Sequence, residues 1–285
     1  MKNGSITVRS MSVGDSDMDG ALRLSQAVLW PYRRDDWALA IGIGNGLLAW
    51  EGDSIVGSAL WWNYGDALAT CGIIIVSPDR QGRGLGRTLM RGVLDAIGER
   101  AVVLNSTREG RRLYEGFGFT DIGTVHQHQG QASSAAAQPM EAHDARLRRI
   151  APSDLPAIID MDQRAFGAER RQLIETFGLC GTGAAIERNG AIQGFAFCRR
   201  FGLGHAIGPI VTQTQQDARI LIVHFMNVMA GAFLRIDVTG DSGLGEWLAA
   251  QGLAEVGTVT TMIRGQRPSP EGPHQIFALA SQSFG

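Results

Sequence analysis

"VSPDRQGRGLGRTLM", Val76 to Met90, decides how this chain reads. An apolar run, "ATCGIIIV", leads into it as a strand buried on both faces, and Pro78 stops that run. Glycines then stand at 82, 84 and 86, with arginines at 83 and 87. "GLGRTLMRGVLDAIGER" follows, with Leu85, Leu89, Val93 and Ile97 on one helical stripe. The segment is therefore a buried strand, a glycine loop and an amphipathic helix. A helix start carries unpaired N–H groups and partial positive charge, which suits phosphate. Glycines permit positive φ and let a ligand approach the backbone, and Arg83 and Arg87 add donors. Gln81 to Thr88 reads as a pyrophosphate cradle. It is no P-loop, because Lys2 is the only lysine in the chain, and it lacks the last glycine of a dinucleotide fingerprint. "GIGNG", Gly42 to Gly46, has no basic residue and reads as a plain loop.

The surrounding pattern is mixed. "ITVRSM" alternates as a strand, "DMDGALRLSQAVL" has helical spacing, and "GLLAWEGDSIVGSALWWN" is a hairpin turning at Gly52 and Asp53. "AVVLNS" is a second buried strand. "EGRRLYEGFGF" is a short helix closed by Gly116 or Gly118, then a strand. This is an α/β (α+β) plan.

The plan occurs twice. "LYEGFGFTDIGTV", Leu113 to Val125, matches "WLAAQGLAEVGTV", Trp247 to Val259, with Gly118 on Gly252. The same offset sets Val76 against Ile210. "EGDSIVGSALWW" matches "ERNGAIQGFAFC", and "VRSMSVGDSD" matches "LRRIAPSDLP". The repeat is domain-sized, not a solenoid unit. Between the copies, "HQGQASSAAAQPMEAHD", His128 to Asp144, is polar and small and reads as a linker. The expected division is a first domain over 1–130, a linker over 131–145, a second domain over 146–266 and a tail over 267–285, whose "HQIFALASQSFG" has the side chains to dock on a domain. Opposite the cradle the second copy has "IVTQTQQDARILIVH", without glycine, and opposite Tyr114 it has Leu248.

Composition excludes several classes. Formal net charge is −2, and each side of Gly130 carries 13 basic and 14 acidic side chains, which argues against nucleic acid. Cys71, Cys180 and Cys198 form no CxxC and point to a reducing compartment. His126 and His128 share a strand face, but two ligands make no metal site, and "HQHQG" reads as a polar strand edge. "MKNGSITVRSM" has no signal-peptide pattern and no run reaches membrane-span length, so the expected location is cytoplasmic, without membrane association.

Gln81-x-x-Gly84-x-Gly86, after a strand ending Val76-Ser77-Pro78, resembles the acetyl-CoA signature of the GNAT N-acetyltransferases. "LYEGFGF" resembles that family's second signature, in the expected order. The resemblance covers most of 5–130. It implies tandem GNAT-like domains, each a mixed, partly splayed sheet flanked by helices, with a degenerate second copy. It implies acetyl-CoA as co-substrate, its pyrophosphate on Gln81, Gly82, Arg83, Gly84, Leu85, Gly86, Arg87 and Thr88. Its pantetheine arm would lie between "GIIIV" and "AVVLN", against the backbone of Ile74 and Val76. Tyr114 would be the general acid, against an alternative as a core tyrosine beside Phe117 and Phe119. Many relatives carry asparagine seven residues before that tyrosine and alanine four before it; here Thr107 and Gly110 stand there, and Asn105 is preferred to Thr107 as the arm's contact. "WPYRRDDW" lies where relatives cover the acceptor, so Trp30, Tyr32, Arg33 and Trp37 either line that pocket or pack on the core. Asp35, Asp36 and Glu51 are candidate bases by type only. The implied activity is transfer of acetyl from acetyl-CoA to the amine of a small molecule by direct attack in a ternary complex, without metal. A homodimer is left open. The alternatives are a silent CoA-binding module, a different acyl group, or an oxygen acceptor.

Overall fold

The computed structural model describes residues 5–133 and 145–285. The first half runs β1 (Ile6–Ser10), α1 (Asp15–Ala27), α2 (Arg34–Gly42), β2 (Asn45–Glu51), β3 (Ser54–Tyr64), β4 (Leu68–Val76), α3 (Leu85–Ile97), β5 (Ala101–Ser106), α4 (Arg111–Glu115) and β6 (Thr120–Gln131). The second repeats that order: β7 (Arg146–Arg149), α5 (Leu155–Phe166), α6 (Arg171–Cys180), β8 (Gly181–Arg188), β9 (Ala191–Phe201), β10 (Gly204–Thr212), α7 (Gln215–Val228), β11 (Phe233–Thr239), α8 (Gly245–Ala250) and β12 (Ala254–Arg264). It then adds β13 (Gln275–Ala278).

The strands form one 13-stranded sheet in the order β1-β2-β3-β4-β5-β12-β6-β11-β13-β10-β9-β8-β7. The halves exchange their closing strands. β12 lies antiparallel to β5, with Thr261 opposite Asn105, and β6 lies antiparallel to β11, with Gln127 opposite Asp237. β6 and β12 also pair with each other. The exchange leaves neither β5 nor β11 as a bare edge, which would invite pairing with another chain.

The sheet therefore runs across the boundary expected near residue 131. Gln131 belongs to β6, and the Ala132 N–H donates to the Ala232 carbonyl at 2.8 Å. Most of the expected linker, 134–144, lies outside the described residues. The polar-edge reading of "HQHQG" is also corrected: β6 is central, and His128 is buried with its Nδ1 2.9 Å from the Leu253 carbonyl oxygen.

Helix α3 buries the stripe its sequence announces: Leu85, Leu89, Val93 and Ile97 pack on one sheet face. Helices α1, α2, α5 and α6 contribute to a core on the other face that includes Trp37, Trp62, Phe177, Phe197 and Phe284, so it joins both halves. Each such ring contributes on the order of 2–3 kcal/mol. Among the described residues no helix is long and apolar enough to cross a membrane.

Strands β4 and β5 pair in parallel only at Leu68–Thr70 with Ala101–Val103. Beyond them Ile73 takes φ +52°, where the β3–β4 register shifts, and the Ser58 hydroxyl donates to its carbonyl at 2.8 Å. A β-branched residue in that region costs about 1–3 kcal/mol, and the bulge bends its strand. β4 thus turns away from β5 and a gap opens. In the second half β10 and β11 pair at His205–Ile207 with Leu234–Ile236 and also separate. There β13 enters, pairing with both neighbours. The registers also correct the repeat alignment. Gly57 faces Val76 and Gly194 faces Thr212, so the partner of Val76 is Thr212, two residues past Ile210 and on the same face.

Candidate active site

A cavity of about 560 Å³ fills the gap between β4 and β5. One end is the glycine loop: Gln81, Gly82, Gly84, Leu85 and Gly86 line it. Gly82 and Gly84 have φ of +74° and +81°, with open space where a Cβ would stand. That region favours glycine, so the loop's path needs these residues. Gly84 caps α3 without a side-chain bond, and the first helical bond is Thr88 N–H to the Gly84 carbonyl at 3.0 Å. The N–H groups of the first turn are left for a ligand, and no acidic residue stands there. The Gln81 amide donates to the Val76 carbonyl at 3.2 Å, folding the loop back on its strand.

The walls are Ile73, Ile74, Ile75 and Val76 on β4, and Leu104 and Asn105 on β5. Past Thr70, β4 has no β5 partner, so its peptide groups on that edge face the cavity. Tyr114 and Cys71 line the wall together. Tyr114 is 8% exposed, and among the described residues no group hydrogen-bonds its hydroxyl. Burial, with a smaller push from Cys71, drives its phenol well above the ordinary value, so it stays protonated at neutral pH. Burial likewise pushes the Cys71 thiol up to about 12.

Most of the expected residues meet here: Tyr114, Ile74, Val76, Gln81, Gly82, Gly84, Leu85, Gly86, Asn105 and Trp30 all line the cavity, as does Thr107. Others do not. Arg83, Arg87 and Thr88 stand exposed outside the lining; Arg87 lies over Phe117 at 5.3 Å and the Thr88 hydroxyl turns back to the Gly84 carbonyl. Trp37 is fully buried, with its Nε1 donating to the Ser25 hydroxyl at 3.2 Å; it is a core residue. Arg33 pairs in a fork with Asp36, at 2.8 and 3.1 Å, and does not face the cavity. Tyr32 stands behind Trp30, ring centroids 6.2 Å apart. Of the acids considered as bases, Asp36 is buried and Glu51 is held by Arg80 at 2.6 and 2.8 Å, and neither they nor Asp35 line the cavity.

The tail, whose "HQIFALASQSFG" was expected to be able to dock, packs against both halves. The Asn105 amide donates to the Gln282 carbonyl at 2.8 Å and accepts from the Thr261 hydroxyl at 2.7 Å. Gly72 faces Ser283 so closely that a Cβ would lie 2.8 Å from its hydroxyl. The Tyr64 hydroxyl donates to the Phe284 carbonyl at 2.9 Å. Fully buried Arg170, paired with Asp162 at 2.7 and 2.9 Å, donates to the Gly285 carbonyl at 2.6 Å. The tail is thus built into the sheet beside the gap, at Gly72 and Asn105. Its signal in the sequence was an apolar "IFALASQSF" after a polar stretch.

Two models of the GNAT acetyltransferase domain match the chain, over residues 43–121 and 158–278. The chain belongs to the GNAT acetyltransferases. It is a tandem member of that family and an acyl-CoA N-acyltransferase. An uncharacterized N-acetyltransferase of Bacillus subtilis, YitH, is 26% identical over 281 residues, covering 95% of this chain and 96% of that protein. A candidate acetyltransferase of Pyrococcus horikoshii shares the fold with a TM-score of 0.81 at 18% identity, over 100% of this chain and 97% of its own. A tandem GNAT protein from the clavulanic acid pathway aligns with a TM-score of 0.68 at 11% identity, over 94% and 100%. Among the described residues no cluster of three or more His, Cys, Asp or Glu is placed to hold a metal.

Proposed function

We propose that this GNAT protein moves an acetyl group from acetyl-CoA to the amine of a small molecule by direct attack in the first half. One observation carries the reading. The cavity begins at the uncapped N-terminus of a 13-residue helix and ends at a phenol whose hydroxyl has no partner among the described residues. Acetyl-CoA supplies the activated thioester. The loop from Gln81 to Gly86 and the first turn of α3 hold its pyrophosphate. The unpaired edge of β4 around Ile74 and Val76 takes the amides of the arm, and an N–H there polarises the thioester carbonyl. Tyr114 keeps its proton because it is buried, and gives it to the departing sulfur. Trp30 flanks the acceptor. The protonated Cys71 thiol is a poor nucleophile, which favours direct attack over an acyl-enzyme.

The test is release of free CoA from acetyl-CoA over a panel of amines. Tyr114→Phe should lower kcat by about a hundredfold, the low end of general acid–base contributions, with CoA affinity retained. Equal turnover by Tyr114→Phe on an active substrate removes the acid. CoA binding with no transfer to any acceptor would leave a silent binding module.

A further inference from the structure

On the sheet face that carries Asn105, the central strands lay a polar floor. Thr261 stands opposite Asn105, Gln127 opposite Asp237, and Gln129 opposite Arg235. Gln127 also faces Gly257 of β12, which puts it on the Thr261 side of the sheet. The floor leaves the cavity wall at Asn105, crosses β12 and β6, and ends at Arg235 on β11. Gln282 lies along it, its carbonyl accepting from Asn105 and its amide donating to Gln127 at 3.2 Å and to Asp237, so an acceptor would run over or beside Gln282. Three strand spacings, about 14 Å, separate β5 from β11, and the long arginine side chain shortens the remaining span.

Charge at the far end is unbalanced. Arg235 engages Asp237 through its Nε, at 3.0 and 3.1 Å, and among the described residues no acceptor holds its terminal nitrogens. Asp237 also accepts from the Gln282 amide at 3.1 Å. Arg199 and Arg235 flank Ala206 on one face, because each is its register partner. Both guanidinium carbons lie against the Phe201 ring, 4.9 and 5.3 Å from its centroid. Arg199 is 3% exposed and its Nε has no partner among the described residues. Its nearest carboxylate, Asp36 at 4.0 Å, already accepts from Arg33 and from the Gly202 N–H. With Asp36 matched to Arg33 and Asp237 matched to Arg235, the Arg199 guanidinium remains as one positive charge without a carboxylate of its own. A buried cation without a partner is costly. Tyr32 closes this end: its ring meets Phe201 edge-on at 5.3 Å and lies beside the cavity-lining Trp30.

We propose that the acceptor is an amine that carries a carboxylate, held by Arg235 with Arg199 behind it while the amine reaches the gap beside Asn105. A carboxylate matches the single residual charge and the planar fork of arginine; a phosphate dianion exceeds it. The inference rests on the acetyl-transfer reading. In the step, the amine nitrogen bonds to the thioester carbon and the carbon–sulfur bond breaks. One amine proton goes to solvent, Tyr114 protonates the sulfur, and solvent returns a proton to the Tyr114 phenolate.

The experiment follows CoA release by the full-length protein with matched acceptors. These are ω-amino acids of graded length and amino acids with a side-chain amine, each beside its carboxamide. The free acids should exceed their amides in kcat/KM by about tenfold or more, as a charged hydrogen bond warrants, mainly through KM. Arg235→Gln should collapse that preference and Arg235→Lys should restore part of it. Arg235 is partly exposed, and circular dichroism confirms that each variant folds. Amides equal to acids, a preference that survives Arg235→Gln, or CoA binding with no turnover of any acid overturns the proposal. Failure to bind CoA at all overturns instead the acetyl-transfer reading beneath it, and this proposal with it.

Discussion

In the first half, β4 and β5 pair over three residues and then part around a cavity; in the second, β10 and β11 pair over three residues and then part around β13. The connections that follow differ in the same sense. Eight residues, 77–84, join β4 to α3, while two, 213–214, join β10 to α7. Thr214 caps α7 with its own hydroxyl, accepting from the Asp217 N–H at 3.1 Å, and Asp217 is buried against Arg188 at 2.6 and 3.0 Å. That helix start is satisfied internally and already holds an anion. The α3 start has a glycine cap and no acid. One fold therefore gives an open slot or a filled wedge, according to the loop that follows the parted strand and what the chain inserts.

Removing the wedge is the strongest way to probe this contrast. Phe277 on β13 is 6% exposed within the second core. Phe277→Ala should cost about 3–5 kcal/mol, read from urea unfolding, with CoA affinity unchanged. A parallel fall in affinity would mean that the two gaps are not separate in function.

Gly84→Asp attacks the open side. It forces a side chain into φ +81°, at about 1–3 kcal/mol, and sets a carboxylate at the expected phosphate site. CoA affinity by calorimetric titration should fall about a hundredfold or more, near 2.7 kcal/mol. Unchanged affinity would remove the cradle.

A smaller effect tests how the halves hold together. Burial pushes the Tyr64 phenol up to about 12, while its hydroxyl holds the tail at Phe284. The folded value exceeds the unfolded value of about 10. The folded state thus keeps its proton longer, and this stability is complete below about pH 10 and lost as pH rises through about 12. The contribution is about 2–3 kcal/mol. Urea midpoints measured between about pH 9 and 12 should fall for the wild type and fall less steeply for Tyr64→Phe, where the buried Tyr114 and Cys71 still titrate. A slope equal in both would show that other groups set the alkaline limit.

The glycine loop and its helix were legible because their evidence is local. A buried run, a stop at Pro78, glycines and a helical stripe lie within about twenty residues, and each is a short-range steric or solvation effect. Tyr114 was legible through its neighbours in "LYEGFGF". "WPYRRDDW" was legible only as a group: the sequence did not separate Trp30, which lines the cavity, from Trp37, which fills the core. Arg199 and Arg235 sat unnoticed in "FCRRF" and "FLRIDV", although a charge inside an apolar strand is itself a signal.

The sequence by itself determined the duplicated plan, the glycine loop and the loss of that loop in the second copy, because turn geometry and burial periodicity are set by neighbours along the chain. Only the tertiary structure decided the exchange of β6 and β12, the entry of β13 into the second gap, and the meeting of Asn105 with Gln282. Those contacts join residues from 40 to more than a hundred positions apart. They form because unpaired strand edges and buried polar groups must find partners, and the sequence does not say which.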